Sequence, residues 1–118
     1  MIRFARPPLL AGLEASSARV YELGGDGLAQ PARPMTIVVP FAPGGSTDVV
    51  TRLLAERMTQ ILGQPVQVEN RAGGNTIVGA EYVARSRPDG HTALMAAGTT
   101  LSINPVIVPN LSYKVEDF

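Results

Sequence analysis

The sequence predicts an α/β protein built as a parallel βαβαβ unit, one half of a doubly wound domain. Two observations carry that prediction. Three short runs, Thr36 to Val39, Pro65 to Glu69 and Thr92 to Ala97, are β-branched or apolar and bounded by proline or glycine. Between them lie two stretches whose apolar residues recur at helical spacing, and each strand-like run leads into a loop of glycine and small polar residues. Right-handed crossovers then lay the helices on the faces of a parallel sheet.

Composition sets the outer bounds. The chain has 118 residues, is 45% hydrophobic and carries ten basic and ten acidic side chains, which describes a globular chain of about one small domain. Balanced charge offers no electrostatic attraction to nucleic acid or to an anionic membrane surface. The apolar runs are too short to cross a bilayer. With no cysteine, disulfides and thiolate metal sites are excluded, and His91 as the sole histidine makes a His-based metal centre or catalytic triad unexpected. No cofactor is implied.

Residues 1–30 read differently from the rest. Arg3 and Arg6 precede the apolar Pro7 to Leu13, and Ala29 stands where a small-residue exit would, the outline of a secretory signal. Glu14, Arg19 and Glu22 break the region that an export signal keeps apolar. A degenerate signal and a disordered leader fit this pattern equally. Either one leaves residues 1–30 outside the fold and residues 31–118 as the folded part.

The elements follow in order. Thr36 to Val39, framed by Pro34 and Pro40, reads as a buried parallel strand. After the turn Pro43-Gly44-Gly45, a helix begins near Ser46; Asp48 suits its dipole, and Gly63 is placed to end it. Its apolar positions are Val49, Val50, Leu53, Leu54, Met58, Ile61 and Leu62, and Met58, Ile61 and Leu62 are expected in the core. Pro65 to Glu69 is a shorter strand, and Asn70 to Asn75 a second glycine-rich loop. Thr76 begins a second helix whose buried face is Ile77, Ala80, Val83 and Ala84, and which must stop before Pro88. Pro88-Asp89-Gly90 is a turn, Thr92 to Ala97 a strand covered on both faces, and Leu101 to Asn104 a short helical turn beyond Gly98-Thr99-Thr100.

The loops carry the chemistry. A strand, a glycine turn and a helix start aim backbone N–H groups and a positive dipole end at one point, where a small anion fits. Pro43 to Asp48 alone reads first as an ordinary βα turn with a good N-cap; it matches neither GxxxxGK[ST] nor GxGxxG. The topology adds weight to the anion reading, because the ligand crevice of an open α/β sheet lies beyond the carboxyl ends of its strands. All three strands end in like chemistry: Phe41, Pro43, Gly44, Gly45, Ser46, Thr47 and Asp48 in the first loop, Gly74, Asn75 and Thr76 in the second, Gly98, Thr99 and Thr100 in the third. None of these loops contains lysine, and Arg71 is the only nearby cation. Such a neutral, donor-rich pocket suits a carboxylate better than a triphosphate.

The run Val39 to Asp48 resembles the first loop of the tripartite tricarboxylate transporter substrate-binding proteins, the Bug family of extracytoplasmic solute receptors. The similarity continues through Leu62 to Arg71, Gly79-Ala80-Glu81, Arg87 to Thr92, Ile103-Asn104-Pro105 and Glu116-Asp117-Phe118, over essentially all of residues 33–118. The resemblance implies a periplasmic, two-lobed clamshell that captures a small organic carboxylate, without catalysis, for integral-membrane transporter subunits. Members of that family are longer and carry a clean export signal. This chain stops at Phe118 and so corresponds to an incomplete first lobe, truncated before the second. Apolar sheet surface left uncovered would then promote self-association.

Several side chains have a structural alternative. Asp48 stabilises the helix start or receives a ligand hydroxyl or ammonium; Arg71 meets a carboxylate or is held by Glu69, Glu81 or a carbonyl; Phe41 is placed to wall the crevice. His91, at the opposite end of the sheet, is expected to pack or face solvent. A small α/β enzyme acting on a carboxylate or phosphate ester through Ser46 or Asp48 is the competing reading. It lacks a base, for no His, Lys or carboxylate pair stands at the strand ends. A nonfunctional remnant is the third. Because Glu14 shortens the apolar region, a reporter fused after Gln30 should remain in the cytoplasm with the leader still attached; efficient secretion would contradict that reading.

Overall fold

Thr36 to Val39 becomes the centre of the sheet because no side chain in it resists burial on either face. The structure is a computed structural model and describes residues 2–4 and 33–118. In chain order its elements are β1 (Ile2–Phe4), β2 (Met35–Val39), α1 (Ser46–Leu62), β3 (Val66–Asn70), α2 (Ile77–Ala84) and β4 (Thr92–Met95). A π-helical turn (Thr99–Ile103) then runs into α3 (Asn104–Ile107), and a 3-10 turn (Val115–Asp117) closes the described chain. The sheet order is β1-β4-β2-β3. β2 pairs in parallel with β3, Ile37 opposite Val68, and with β4, Ile37 opposite Ala93. The predicted parallel core of three strands is present.

Alternation along the strands divides the interior into two layers, as a doubly wound sheet requires. Ile37 and Ala93 pack with Met35 and Ala55 on the α1 side, flanked by Met58, Val66 and Val68. Val38 and Leu94 pack with Ala80 and Val83 on the α2 side. That second layer also holds Tyr113 and Phe118, each 3% exposed, with ring centroids 5.7 Å apart at 69°. Ile77 and Ala84 lean on the same cluster, so the predicted face of α2 is the buried one.

Three expectations need correction. First, Ile2–Phe4 lies within the sheet: it pairs antiparallel with β4, Arg3 opposite Leu94. A short Ile-Arg-Phe run at a chain start reads as the basic head of a signal, yet its alternation suits an antiparallel edge on a parallel sheet. The other leader features, Pro7 to Leu13, Glu14, Arg19, Glu22 and Ala29, lie outside the described residues. Cleavage after Ala29 would strip β1 from β4 and leave that edge open.

Second, Ile61 and Leu62 are exposed, as are Val49, Val50 and Leu53. The side of α1 turned to the sheet is instead Asp48, Thr51 and Ala55, with Leu54 and Met58 half-buried at its margins. Small residues let the helix approach closely. Thr51 Oγ1 donates to the Thr47 carbonyl at 2.6 Å and Thr59 Oγ1 to the Ala55 carbonyl at 2.9 Å, so each hydroxyl is satisfied within its own helix. Third, α1 covers one sheet face and α2 with the C-terminal aromatic pair covers the other. Among the described residues both sheet faces carry helical cover, which gives the expected self-association no support.

Gly63 ends α1 as expected, at φ +66 with its N–H on the Thr59 carbonyl. Gly79 has a different purpose. A Cβ there would stand 2.9 Å from Pro40 Cβ and 3.0 Å from the Arg71 carbonyl oxygen, with Pro40 itself fully buried. Gly79→Ala should therefore destabilise the fold by about 1–3 kcal/mol. At Gly98 no atom lies within 4 Å of an added Cβ, and Gly98→Ala should leave stability near its starting value. Urea denaturation of the two variants side by side measures the difference.

Candidate functional site

The carboxyl ends of β4, β2 and β3 lie side by side at one end of the sheet, and the three predicted loops rise from them. β2 is the switch point: the chain leaves it through α1 to reach β3 on one side, then returns through α2 to β4 on the other. In open α/β sheets, loops at such a point diverge, and ligands bind in the crevice between them.

The first loop is shaped by Asp48. Its buried carboxylate accepts the Gly44 N–H at 2.9 Å and Arg52 Nε at 3.1 Å on Oδ2, and Asn70 Nδ2 at 2.8 Å on Oδ1. Asn70 also donates to the Phe41 carbonyl at 3.2 Å and accepts Arg52 Nη2 at 2.9 Å. These bonds tie the loop after β2 to the end of β3. Hydrogen bonding to Arg52, Gly44 and Asn70 holds the Asp48 pKa at about 2, below its ordinary 3.8. The carboxylate is thus hydrogen-bonded on both oxygens, to the first loop, to α1 and to the end of β3.

What the loop leaves open is backbone. Gly45 precedes α1 with no side-chain cap, and Val49 N–H to the Gly45 carbonyl at 3.0 Å is where helical bonding starts. The first-turn amides of Ser46 and Thr47 precede that bond. Pro43, Gly44, Gly45 and Ser46 are exposed, while Phe41 and Thr47 are half-buried beside them.

The second loop has an unusual backbone. Gly73, Gly74, Asn75 and Thr76 take φ values of +136, +54, +54 and +75 in succession. A β-branched threonine in the left-handed region costs roughly 1–3 kcal/mol and persists only where its surroundings hold it. They do so here. Thr76 is 3% exposed, and its Oγ1 accepts Thr100 Oγ1 at 2.8 Å and Asn104 Nδ2 at 3.3 Å. Asn75 and Asn104 exchange two bonds, Asn75 Nδ2 to Asn104 Oδ1 at 2.9 Å and Asn104 Nδ2 to the Asn75 carbonyl at 2.8 Å.

The thirteen predicted site residues therefore separate. Phe41, Pro43, Gly44, Gly45, Ser46, Thr47, Gly74, Gly98 and Thr99 are half-buried or exposed around the crevice. Asp48, Thr76 and Thr100 are buried and hydrogen-bonded, the usual fate of polar groups inside a fold, and Asn75, itself exposed, is tied to the buried Asn104. Arg71 is taken by Glu69 at 2.7 Å and stacks 3.6 Å from the Tyr82 ring centroid. Arg52, Asn70, Asn104 and Tyr113 are the participants that sequence reasoning did not single out. The one legible signal was Asn104, an amide inside the mostly apolar run Ile103 to Val108.

A second concavity lies at the opposite end of the sheet. A groove of about 730 Å³ runs along α2 at the amino ends of β2 and β4, lined by Arg33, Tyr82, Arg85, Arg87, Asp89 and His91 among others. It is open to solvent, and two of its arginines are committed, Arg33 to Asp89 at 3.6 Å and Arg85 to Glu81 at 2.7 Å. His91 sits there as predicted, half-buried, its backbone N–H on Asp89 Oδ1 at 3.0 Å and its Nδ1 buried without a partner. Convergent uncapped amides are found at the other end, and that end is the candidate site. Among the described residues no cluster of His, Asp and Glu has the makings of a metal centre.

A doubly wound α/β unit with glycine loops and helix-start amides at its switch point defines the ligand-facing half of a periplasmic-type solute-binding lobe. Residues 50–118 match the model of the tripartite tricarboxylate transporter family receptor, and the chain belongs to that family. It is 45% identical over 86 residues to Protein BugT of Bordetella pertussis, an alignment covering 72% of this chain and 26% of BugT. It superposes on the periplasmic binding protein BugD with a TM-score of 0.66 at 46% identity, covering 72% of this chain and 28% of BugD. MatC of Rhodopseudomonas palustris with bound malate gives a TM-score of 0.68 at 41% identity, over 73% of this chain and 29% of MatC. The chain thus spans between a quarter and a third of these relatives. The family is one of receptors, and the enzyme reading falls away.

Because the depressed Asp48 pKa reflects bonds made only in the fold, stability owed to them is complete above about pH 4 and is lost as pH falls toward 2. A denaturation midpoint followed from pH 5 to pH 2 should drop in that window. Asp48→Asn, which cannot titrate, should lower the midpoint at neutral pH and flatten the acid limb.

Proposed function

We propose that this chain captures a small organic carboxylate at the carboxyl ends of β2, β3 and β4, in the service of a tripartite tricarboxylate-type transporter. The observation that carries the proposal is the uncapped start of α1, whose Ser46 and Thr47 amides open on the crevice at the switch strand while the nearby cations are already paired. Partial positive charge from backbone dipoles, with hydroxyls of Ser46 and Thr99 beside it, recognises a carboxylate without a formal ion pair. Phe41 forms an apolar wall, and Gly74 and Gly98 let the ligand approach the backbone closely. Malate bound to MatC supports the substrate class. The periplasm, where BugD works, is the compartment this reading assigns.

The three loops contact the ligand from one side of the sheet, and hydrogen bonds to an anion that stay open to water contribute little. Its affinity for malate should be about millimolar, near −4 kcal/mol. Titration of the 15N-labelled chain with malate should move the amide signals of Ser46, Thr47, Gly74 and Gly98 together. Shifts confined to Arg33, Arg85 and Arg87 would place the anion in the other groove and overturn the assignment.

A further inference from the structure

We propose that Asn104 and Tyr113, buried beneath the crevice, are positioning residues that hold the loops after β3 and β4 in the arrangement that presents Gly74 and Gly98 to the ligand. The proposal rests on the receptor reading above and adds to it two residues that never touch the carboxylate.

β3 and β4 are not neighbours, since β2 lies between them, so no ladder hydrogen bond joins their ends. The connection is made by side chains. Asn104, fully buried, bridges to Asn75 through both atoms of its carboxamide, and Thr100, also fully buried, donates to Thr76. The π-helical turn explains why a further partner is needed. Asn104 gives its backbone N–H to the Thr99 carbonyl, five residues back. The matching donor for the Thr100 carbonyl would be residue 105, which is proline and has no N–H. Tyr113 fills that gap: its hydroxyl donates to the Thr100 carbonyl at 2.6 Å and lies 3.4 Å from Asn104 Nδ2. Its ring is fixed in turn against Phe118. The segment after α3 therefore determines where the turn after β4 stands, and through Thr100 and Asn104 it keeps Asn75 and Thr76 at positive φ.

Without the clamp, the strained Thr76 relaxes, and only a fraction of molecules present both loops at once; apparent affinity falls by that fraction. Tyr113→Phe removes the hydroxyl and keeps the ring. Thr100→Val removes the link to Thr76 and keeps the volume. Malate titration of the full chain, read by amide shifts, should show binding about fivefold weaker in each variant, the loss of one net hydrogen bond. Malate-dependent shifts should shrink at Gly74 and Gly98 while those at Ser46 and Thr47 persist, a split that general destabilisation does not produce. Unchanged affinity in both variants, or equal loss at all three loops, would overturn the clamp and leave the receptor reading intact. Absence of any malate-dependent shift in the unsubstituted chain would overturn the receptor reading and the clamp with it.

Discussion

Double-sided pairing of β2 is the constraint on which the other features depend. Ile37, Val38 and Val39 are completely buried, because β3 and β4 occupy both edges and the two helical layers both faces. A strand so enclosed has one exit for its chain, upward through Pro40 into the first loop. Chain reversal on either side of it then brings three loop chemistries to one end of the sheet. The close approach of Gly79 to Pro40 belongs to the same constraint, since α2 must cross the top of β2 for its loop to reach the turn after β4.

Most of this was legible in the sequence, and the parts that were not have physical causes. Strands read as short apolar runs, and helices were betrayed by period and by Gly63 and Pro88 at their ends. The loops were legible as loops because glycine admits backbone conformations that other residues avoid. The orientation of α1 was misread because apolar spacing was counted while Thr51, polar by type, buries itself by bonding its own helix. β1 was missed because a three-residue edge strand has too little period to register. Tyr113 and Phe118 were missed as core because they lie in a stretch with no regular pattern and pair only in three dimensions.

Within the site, sequence established which residues gather and not which way they point. Ser, Thr, Asn and Asp serve equally as ligand donors and as local glue. Thr76 and Thr100 sit beside exposed glycines, and nothing in their identity says that their hydroxyls turn toward each other. The deciding factor is the backbone: four successive positive φ angles direct the Thr76 side chain inward, and the missing N–H of Pro105 creates a vacancy that Tyr113 fills. A single chain position shows neither fact, for both arise from residues far apart in sequence.

Under the proposed function, the charge arrangement around the first loop favours recognition by dipoles. A carboxylate at Asp48 stands in the first turn of α1, where it would compete with an anionic ligand for the same helix end. Arg52 lies against it at 3.1 Å and offsets its charge, while Arg71, the other cation nearby, is committed to Glu69 at 2.7 Å. The first-turn amides are left facing a locally neutral surface. Such a surface attracts anions only weakly at long range, but a carboxylate whose oxygens reach those amides meets fixed donors that need no reorganisation. Under the proposed function, discrimination among acids would come from the distance between the amides and Phe41. Affinity comes from how completely water is excluded once the ligand is seated.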